Sequence, residues 1–373
     1  IVNSPPNTVN LNRPSNVTNF TSVPQFNWSN STDNDTDVIT YLFEVSPDVG
    51  FTSFTYTNYT IAEKANTTAE LNANIPTEGT YYWHVIATDT LLNATASAAW
   101  RFTYDKTPPN ITFLNITNTT SESIINATIP ATTGENLTIR VNATDLYTQT
   151  SAVWVVIWSG VHDISSRLFE GFLNLLNGIY SLTIQTNITY PFGLVNYTVY
   201  ANDTLNQTST FTGNFTLLAN TTLFANTTDS IVEYSNSTAI FALYNLSNGT
   251  IVSGAVCNAT FDGGVSGMPY NASLARYENL TFNTSSHSLG THGINVLCST
   301  QYHVSRNDTT VLTVQDTITP KLNLTTLNAS WFKVSTVNLN YTVFDMHSIQ
   351  NCTVYFNGAV NQTNTTVTNS TLQ

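Results

Sequence analysis

Gly79-Thr80-Tyr81-Tyr82-Trp83-His84-Val85-Ile86-Ala87-Thr88-Asp89 alternates large apolar residues with smaller or polar ones. In an extended chain successive side chains point to opposite faces, so Tyr81, Trp83, Val85 and Ala87 fall on one buried face. His84 falls on the other and is expected to look outward. The stretch ends in Asp, and the same ending recurs in Val141-Asn142-Ala143-Thr144-Asp145, Val199-Tyr200-Ala201-Asn202-Asp203 and Tyr341-Thr342-Val343-Phe344-Asp345. A repeated strand of one design implies a repeated β module. The four terminal Asp are expected to form turns, because their side chains accept hydrogen bonds from the backbone that follows.

Working outward, the same alternation appears in Ile39-Tyr41-Phe43-Val45, Leu137-Ile139-Val141, Val153-Val155-Ile157, Ala239-Phe241-Leu243, Ile294-Val296-Cys298 and Leu339-Tyr341-Val343. Hairpin signals lie between such runs at Asn177-Gly178, Asn248-Gly249, Asp262-Gly263 and Asn357-Gly358. The one helix-like stretch, Arg167 to Leu176, is short and reads equally as an edge strand and loop. The fold class is therefore all-β. At 373 residues the chain exceeds one sandwich and suits three or four domains of ~100 residues each, in a linear array. A second repeat, Asp105-Lys106-Thr107-Pro108-Pro109 and Asp316-Thr317-Ile318-Thr319-Pro320, reads as a rigid linker. With it, domains are expected at 1–105, 106–218, 219–316 and 317–373. The last, 57 residues long, is about half a sandwich, with strands expected near 321–326, 336–344, 350–356 and 364–372.

Composition narrows the function. Only 9% of residues are charged, against ~25% in an ordinary soluble domain. The net charge of −13 and the ten Lys plus Arg exclude nucleic acid, which needs clustered cations. No apolar stretch approaches a membrane span; the longest, Ala152 to Trp158, fits a buried strand. Ile1-Val2-Asn3-Ser4-Pro5-Pro6 has neither the basic start nor the apolar core of a signal peptide.

The Asn residues carry the functional signal. Of 47 Asn, 36 begin an Asn-x-Ser/Thr triplet without a central Pro, and the third residue is Thr in 31 of these. Chance placement of Ser and Thr would give roughly 12, so the offset is selected as an N-glycosylation acceptor. In the first domain the expected acceptors are Asn16, Asn19, Asn30, Asn58, Asn66 and Asn93. In the second they are Asn110, Asn115, Asn118, Asn126, Asn136, Asn142, Asn187, Asn196, Asn202, Asn206 and Asn214. The third has Asn220, Asn226, Asn236, Asn245, Asn248, Asn258, Asn271, Asn279, Asn283 and Asn307, and the last Asn323, Asn328, Asn340, Asn351, Asn361, Asn364 and Asn369. Asn27 is the weakest triplet, since Trp28 should be core; a glycan on Asn34 would crowd the acidic loop around it. Many triplets, among them those at Asn110, Asn142, Asn196, Asn214, Asn279, Asn323 and Asn340, read polar-apolar-polar. The middle residue should point inward and Asn and Thr outward, so covalent N-glycans would coat the outer faces where charge is missing.

Cys257 and Cys298 stand 41 residues apart on expected strands, a spacing suited to a disulfide between the two sheets of a sandwich in an oxidising compartment. Cys352 is left over. Asp33, Asp35 and Asp37 alternate in a loop, and clustered carboxylate oxygens suit Ca²⁺; a solvated acidic turn fits the same residues. Asp89 with Asp105 is a further candidate cation pair. The six His, His84, His162, His287, His292, His303 and His347, show no metal-ligand spacing, and no catalytic motif is present. The chain is expected to be no enzyme and to require no cofactor.

Phe26-Asn27-Trp28, the Asp33/Asp35/Asp37 loop, Tyr41-Leu42-Phe43-Glu44-Val45-Ser46 and Gly79 to Val85 resemble a fibronectin type III module of archaeal and bacterial surface proteins. The later domains resemble bacterial-type Ig-like repeats, in which a D-x-T-x-P linker leads into a strand and a later strand ends in A-x-D. Asn351-Cys352-Thr353-Val354-Tyr355-Phe356-Asn357-Gly358 resembles the Cys-bearing hairpin of Ig-like repeats in archaeal surface proteins. The resemblance implies a heavily N-glycosylated, extracellular or cell-surface structural protein, the subunit of a filament or S-layer of archaeal type. Its partners would be copies of itself, joined head to tail. The half sandwich at 317–373 needs further strands, expected either from chain beyond Gln373 or from a neighbouring copy that donates a segment such as Ile1 to Leu11. An adhesin or receptor stalk is the alternative, with 158–178 as its least repeat-like stretch; accessory domains of a surface hydrolase are another.

Overall fold

The computed structural model describes residues 2–63, 71–119, 124, 131–160, 164–325 and 337–369. Its described residues form β-strands joined by turns, with one short 3-10 turn at Ile164–Ser166. Among them no helix is long and apolar enough to cross a membrane. The chain divides into two compact units. One is Ile1–Ala131, Glu135–Thr186 and Leu194–Thr216; the other is Thr132–Gly134, Asn187–Gly193 and Leu217–Gln373.

The first module comprises β1 (Leu11–Arg13), β2 (Thr18–Phe20), β3 (Gln25–Trp28), β4 (Thr40–Ser46), β5 (Tyr56–Ala62), β6 (Leu71–Asn72), β7 (Gly79–Thr88) and β8 (Trp100–Tyr104). Two sheets, β1-β3-β6 and β2-β8-β7-β4-β5, face each other as a fibronectin type III sandwich does. Alternation places Tyr81, Trp83, Val85 and Ala87 in a core with Phe26, Trp28, Phe43 and Phe102. Phe26 meets Trp83 edge-on at 5.1 Å and Phe102 at 5.4 Å, a geometry aromatic quadrupoles favour. His84 does face outward. It bonds Glu44, its cross-strand neighbour, at 2.6 Å and stacks on Phe51 at 3.7 Å. The expected donor segment is engaged within its own module at Asn7, Val9 and Leu11: Val9 and Leu11 belong to this core, and the Asn7 amide bonds the Thr32 carbonyl at 2.9 Å.

The second module follows with β9 (Asn110–Thr117), β10 (Ala131–Thr132), β11 (Asn136–Thr144), β12 (Thr150–Ser159), β13 (Arg167–Phe172), β14 (Asn174–Leu176), β15 (Ile179–Gln185), β16 (Gly193–Asp203) and β17 (Thr208–Leu218). Its sheets are β14-β15-β11-β9 and β10-β17-β16-β12-β13. The helix-like stretch is thus two edge strands, β13 and β14. Leu137, Ile139, Val141, Val153, Val155, Tyr197 and Val199 close its core.

The third module has β18 (Thr221–Thr227), β19 (Ile231–Glu233), β20 (Ser237–Leu246), β21 (Val256–Phe261), β22 (Gly264–Met268), β23 (Tyr270–Asn271), β24 (Arg276–Asn283), β25 (Gly290–Ser299) and β26 (Arg306–Gln315). They form sheets β18-β20-β24-β23 and β19-β26-β25-β21-β22. Cys257 and Cys298 are bridged, but not between sheets. They are register partners on neighbouring strands β21 and β25, with Cα atoms 4.1 Å apart. Sequence separation fixes the loop length and not the sheet to which each strand belongs. Of the four expected turns, Asn177-Gly178, Asp262-Gly263 and Asn357-Gly358 have positive φ at both positions, the two-residue hairpin geometry; at Asn248-Gly249 only Gly249 does.

The last segment holds β27 (Lys321–Leu324), β28 (Tyr341–Phe344), β29 (Cys352–Phe356) and β30 (Ala359–Asn364), paired as β27-β28 and β29-β30. The fourth strand lies earlier than expected, because the Asn357-Gly358 turn returns the chain at once. Leu322, Phe344, Tyr355, Phe356 and Val360 are each at least half exposed. Cys352 is unpaired.

Candidate cation site and glycan acceptors

The strand-ending Asp residues are turn formers as expected. Asp89 Oδ1 accepts from the Leu91 and Leu92 amides, Asp145 Oδ1 from Tyr147 and Thr148, Asp203 Oδ1 from Leu205 and Gln207, and Asp345 Oδ1 from His347. Two of them do more. Asp105, Asp145 and Asp203 bring carboxylate oxygens within 4.8 Å of one another. Topology explains the convergence. Thr144, at the end of β11, is the register partner of Asn110, where the linker after Asp105 enters β9; Asp203 pairs with Thr150 at the start of β12. All three carboxylates therefore reach one end of the second module.

Asp105 and Asp203 are fully buried. The Thr148 hydroxyl lies 2.8 Å from Asp105 Oδ2, 3.2 Å from Asp145 Oδ1 and 3.4 Å from Asp203 Oδ2. The Gln207 side-chain amide donates to Asp203 Oδ2 and the Asp105 carbonyl. Among the described residues no ion pair engages any of the three carboxylates. Burial raises the Asp105 carboxyl above its ordinary value; the Thr107 amide and Thr148 hydroxyl pull it down, and the Asp145 charge pushes it up. Close like charges in a desolvated site are unfavourable unless protonated or neutralised. The donors are all hard oxygens, the set that suits Ca²⁺. A cavity of about 410 Å³ opens beside Asp105 and Asp145, lined also by Glu78, Thr107 and Tyr147.

The other expected cation sites do not assemble. Asp33, Asp35 and Asp37 do not bring three ligand atoms together. Asp33 Oδ1 accepts from the Asp35 amide, Asp35 Oδ2 accepts from the Ser4 amide, and Asp37 is exposed. These are turn bonds of an acidic loop. Asp89 and Asp105 lie at opposite ends of β7, since Gly79 pairs with Tyr104; ten residues of strand separate them by ~30 Å. The sequence displayed Asp105, Asp145 and Asp203 inside its two repeats, but pairing the linker Asp with the strand-ending Asp of the following module was not apparent.

A second cluster also escaped the sequence. Asp262, on the turn after β21, accepts from His287 at 3.2 Å and His292 at 3.0 Å. Burial disfavours the charged His292 ring, but the Asp262 carboxylate and Ser288 carbonyl outweigh it and raise its pKa above the ordinary imidazole value.

Of the acceptors, Asn66, Asn126 and Asn328 lie outside the described residues, as does His162. Every other triplet Asn is exposed or half-buried except Asn27 and Asn118. Asn27 accepts from Asn12 Nδ2 at 3.0 Å. Asn118, expected to carry a glycan, is 8% exposed beside buried Ile116 and Thr117, a poor position for an attached sugar. The middle residues Ala143, Tyr197 and Phe215 are buried as the pattern requires; Leu280 and Leu324, 60% and 50% exposed, are not. A register shift between Thr238 and Ile240 on the strand paired with β24 resets the alternation that placed Leu280 inside. Within 158–178, Phe172, Leu175 and Leu176 are 67%, 58% and 70% exposed.

The fold is a tandem series of Ig-like and fibronectin type III-like β-sandwiches. No known protein family and no curated protein matches the chain. Solved structures match at low identity. The ICAM-5 D1–D4 ectodomain fragment is 13% identical, covering 97% of this chain and 91% of its own, with a TM-score of 0.47. A tetra-tandem repeat from the extending region of a large adhesion protein is 15% identical over 90% and 80%, with a TM-score of 0.37. The FN1–FN3 domains of chicken CNTN1 are 13% identical over 83% and 98%, at 0.28. These are likenesses of fold.

Proposed function

We propose that this chain is a non-catalytic, N-glycosylated structural protein of the cell exterior, whose sandwich modules serve as the body of a surface assembly. One observation carries it: the described acceptor Asn, Asn27 and Asn118 excepted, lie on accessible surface of modules whose interiors are closed apolar cores. A face built of Asn-x-Thr in place of Lys and Glu is soluble when sugars cover it. The finer reading is a filament or surface layer made of copies of the chain, for which the exposed apolar residues of β27 to β30 supply contact surface. An adhesin stalk is the second reading, since tandem sandwiches form the extending region of a large adhesion protein. Asp105, Asp145 and Asp203 would hold a Ca²⁺ ion that stiffens the first unit.

Electron microscopy of natively produced protein tests this. A polymer with this chain as its repeat supports the filament or layer; isolated molecules tethered to cells support the stalk. Protein that is unglycosylated in its native source would overturn both.

A further inference from the structure

The outer face of the sheet containing β13, β12 and β16 carries an aromatic row. Register places Phe172 opposite Trp154, and Trp154 opposite Tyr200. The Trp154 and Tyr200 rings are parallel within 6°, with centroids 4.9 Å apart, and the Phe172 ring lies 6.0 Å from Trp154. Phe172 is 67% exposed, and Trp154 and Tyr200 are half-buried. Such a row presents flat apolar surface with polar edges to whatever lies over it.

Two acceptors share this face. Alternation along β16 puts Asn196, Thr198, Tyr200 and Asn202 on the outer side, because Tyr197, Val199 and Ala201 fill the core. Their chemistry differs. Asn196 Nδ2, the atom to which a sugar would be attached, donates to the Gly160 carbonyl at 2.5 Å. In Asn202 it is Oδ1 that is held, by the Thr208 hydroxyl of β17 at 2.6 Å. The two branches of a planar amide diverge, so with Oδ1 bonded to Thr208 of β17, Nδ2 turns away from Thr208, and the strand on the other side of β16 is β12. There the register partner of Asn202 is Ala152, a small side chain, and the next outward residue is Trp154. Tyr200 is two positions away on the same strand, ~7 Å.

We propose that the glycan on Asn202 folds back across Ala152 and packs its first sugar rings on Tyr200 and Trp154, with Phe172 extending the platform. The occupant is the chain's own saccharide, whose ring C–H faces match the aromatic faces while its hydroxyls remain in water. The inference rests on the glycoprotein reading above.

Hydroxyl-radical footprinting of natively produced glycoprotein and of its Thr204→Ala variant tests it. Thr204 is exposed, and its loss removes the acceptor triplet while leaving Asn202 in place. Glycopeptide mapping of residues 193–208 accompanies the footprint. The expected result is a glycan on Asn202 in the parent, and oxidation of Trp154, Tyr200 and Phe172 that rises several-fold in the variant. Oxidation of Phe224, a 51% exposed ring in the third module, should not change. A glycan present on Asn202 with equal oxidation in both proteins overturns the packing. So does a row protected in both, since another molecule would then cover it. An unoccupied Asn202 overturns it as well, and occupied acceptors elsewhere would leave the glycoprotein reading standing.

Discussion

At Asp105, burial and a neighbouring carboxylate both oppose ionisation, so folding raises its pKa. The sign follows: the folded state holds this proton to higher pH than the unfolded chain does, so stability is present at low pH and lost as pH rises through the raised value. A bound cation would remove that loss. In chelator, raising the pH from about 4 to about 7 should therefore destabilise the parent more than Asp105→Asn, and added Ca²⁺ should raise the melting temperature of the parent alone. Identical pH profiles for the two proteins, with no response to Ca²⁺, would exclude the site. His292 carries the opposite charge with the same sign of linkage. Its raised pKa stabilises the third module at mildly acidic pH, and the benefit fades as pH rises through that value. An NMR titration should place the His292 imidazole above ~6.5 in the parent and lower in Asp262→Asn; an unchanged midpoint would show that Asp262 is not the cause. Gly213 illustrates a steric constraint. A Cβ there would overlap the Tyr197 hydroxyl, and Tyr197 is buried against Phe113. Gly213→Ala should cost about 1–3 kcal/mol by overpacking, read by urea unfolding; an unchanged midpoint would mean that Tyr197 moves freely.

Among the elements, the strands were legible because alternation is a local property. Tyr81, Trp83, Val85 and Ala87 are buried for the reason their spacing gives, and the Asn-Gly and Asp-Gly turns follow from residues that tolerate positive φ. What escaped the sequence was non-local. Alternation cannot say which sheet β21 and β25 join, so the Cys257–Cys298 bridge was expected to cross the sandwich and instead ties two neighbours. It cannot foresee a bulge, so Leu280 was expected inside. It also cannot show that Asp145 and Asp203 end at the point where the Asp105 linker arrives, because that needs the pairing of β9 with β11 and of β12 with β16. The bridge still closes a 41-residue interval, and the chain-entropy estimate for such a loop is about 3–5 kcal/mol. Replacing both Cys by Ala should lower the stability of the third module by that order, measured by denaturant unfolding. A midpoint that does not move would show that the ladder of β21 with β25 suffices alone.

For the whole molecule, the decisive quantity is the scarcity of charge. Ten Lys plus Arg and 23 Asp plus Glu serve 373 residues, and several carboxylates are already engaged in turns or in the buried cluster. Large apolar side chains remain on the surface, including Leu280 at 60%, Val311 at 56% and Phe224 at 51% exposed. Acceptors stand close by: Asn279 precedes Leu280, and Asn226 lies two residues beyond Phe224 on β18. A surface of this kind, left bare, should associate, because apolar patches are then opposed by little charge repulsion. The native protein should accordingly have a mass well above the bare 40.9 kDa and stay dispersed. The same chain made in a host that attaches no glycans should form soluble aggregates or precipitate at concentrations where the glycoprotein does not. Light scattering after size exclusion distinguishes the two. The comparison needs both proteins to be folded, which the all-β far-ultraviolet spectrum and the presence of the Cys257–Cys298 bridge would verify. A folded, unglycosylated chain that remains monodisperse would show that the acceptor-rich surface is soluble by itself, and the selection for Asn-x-Thr would then need a cause other than solubility.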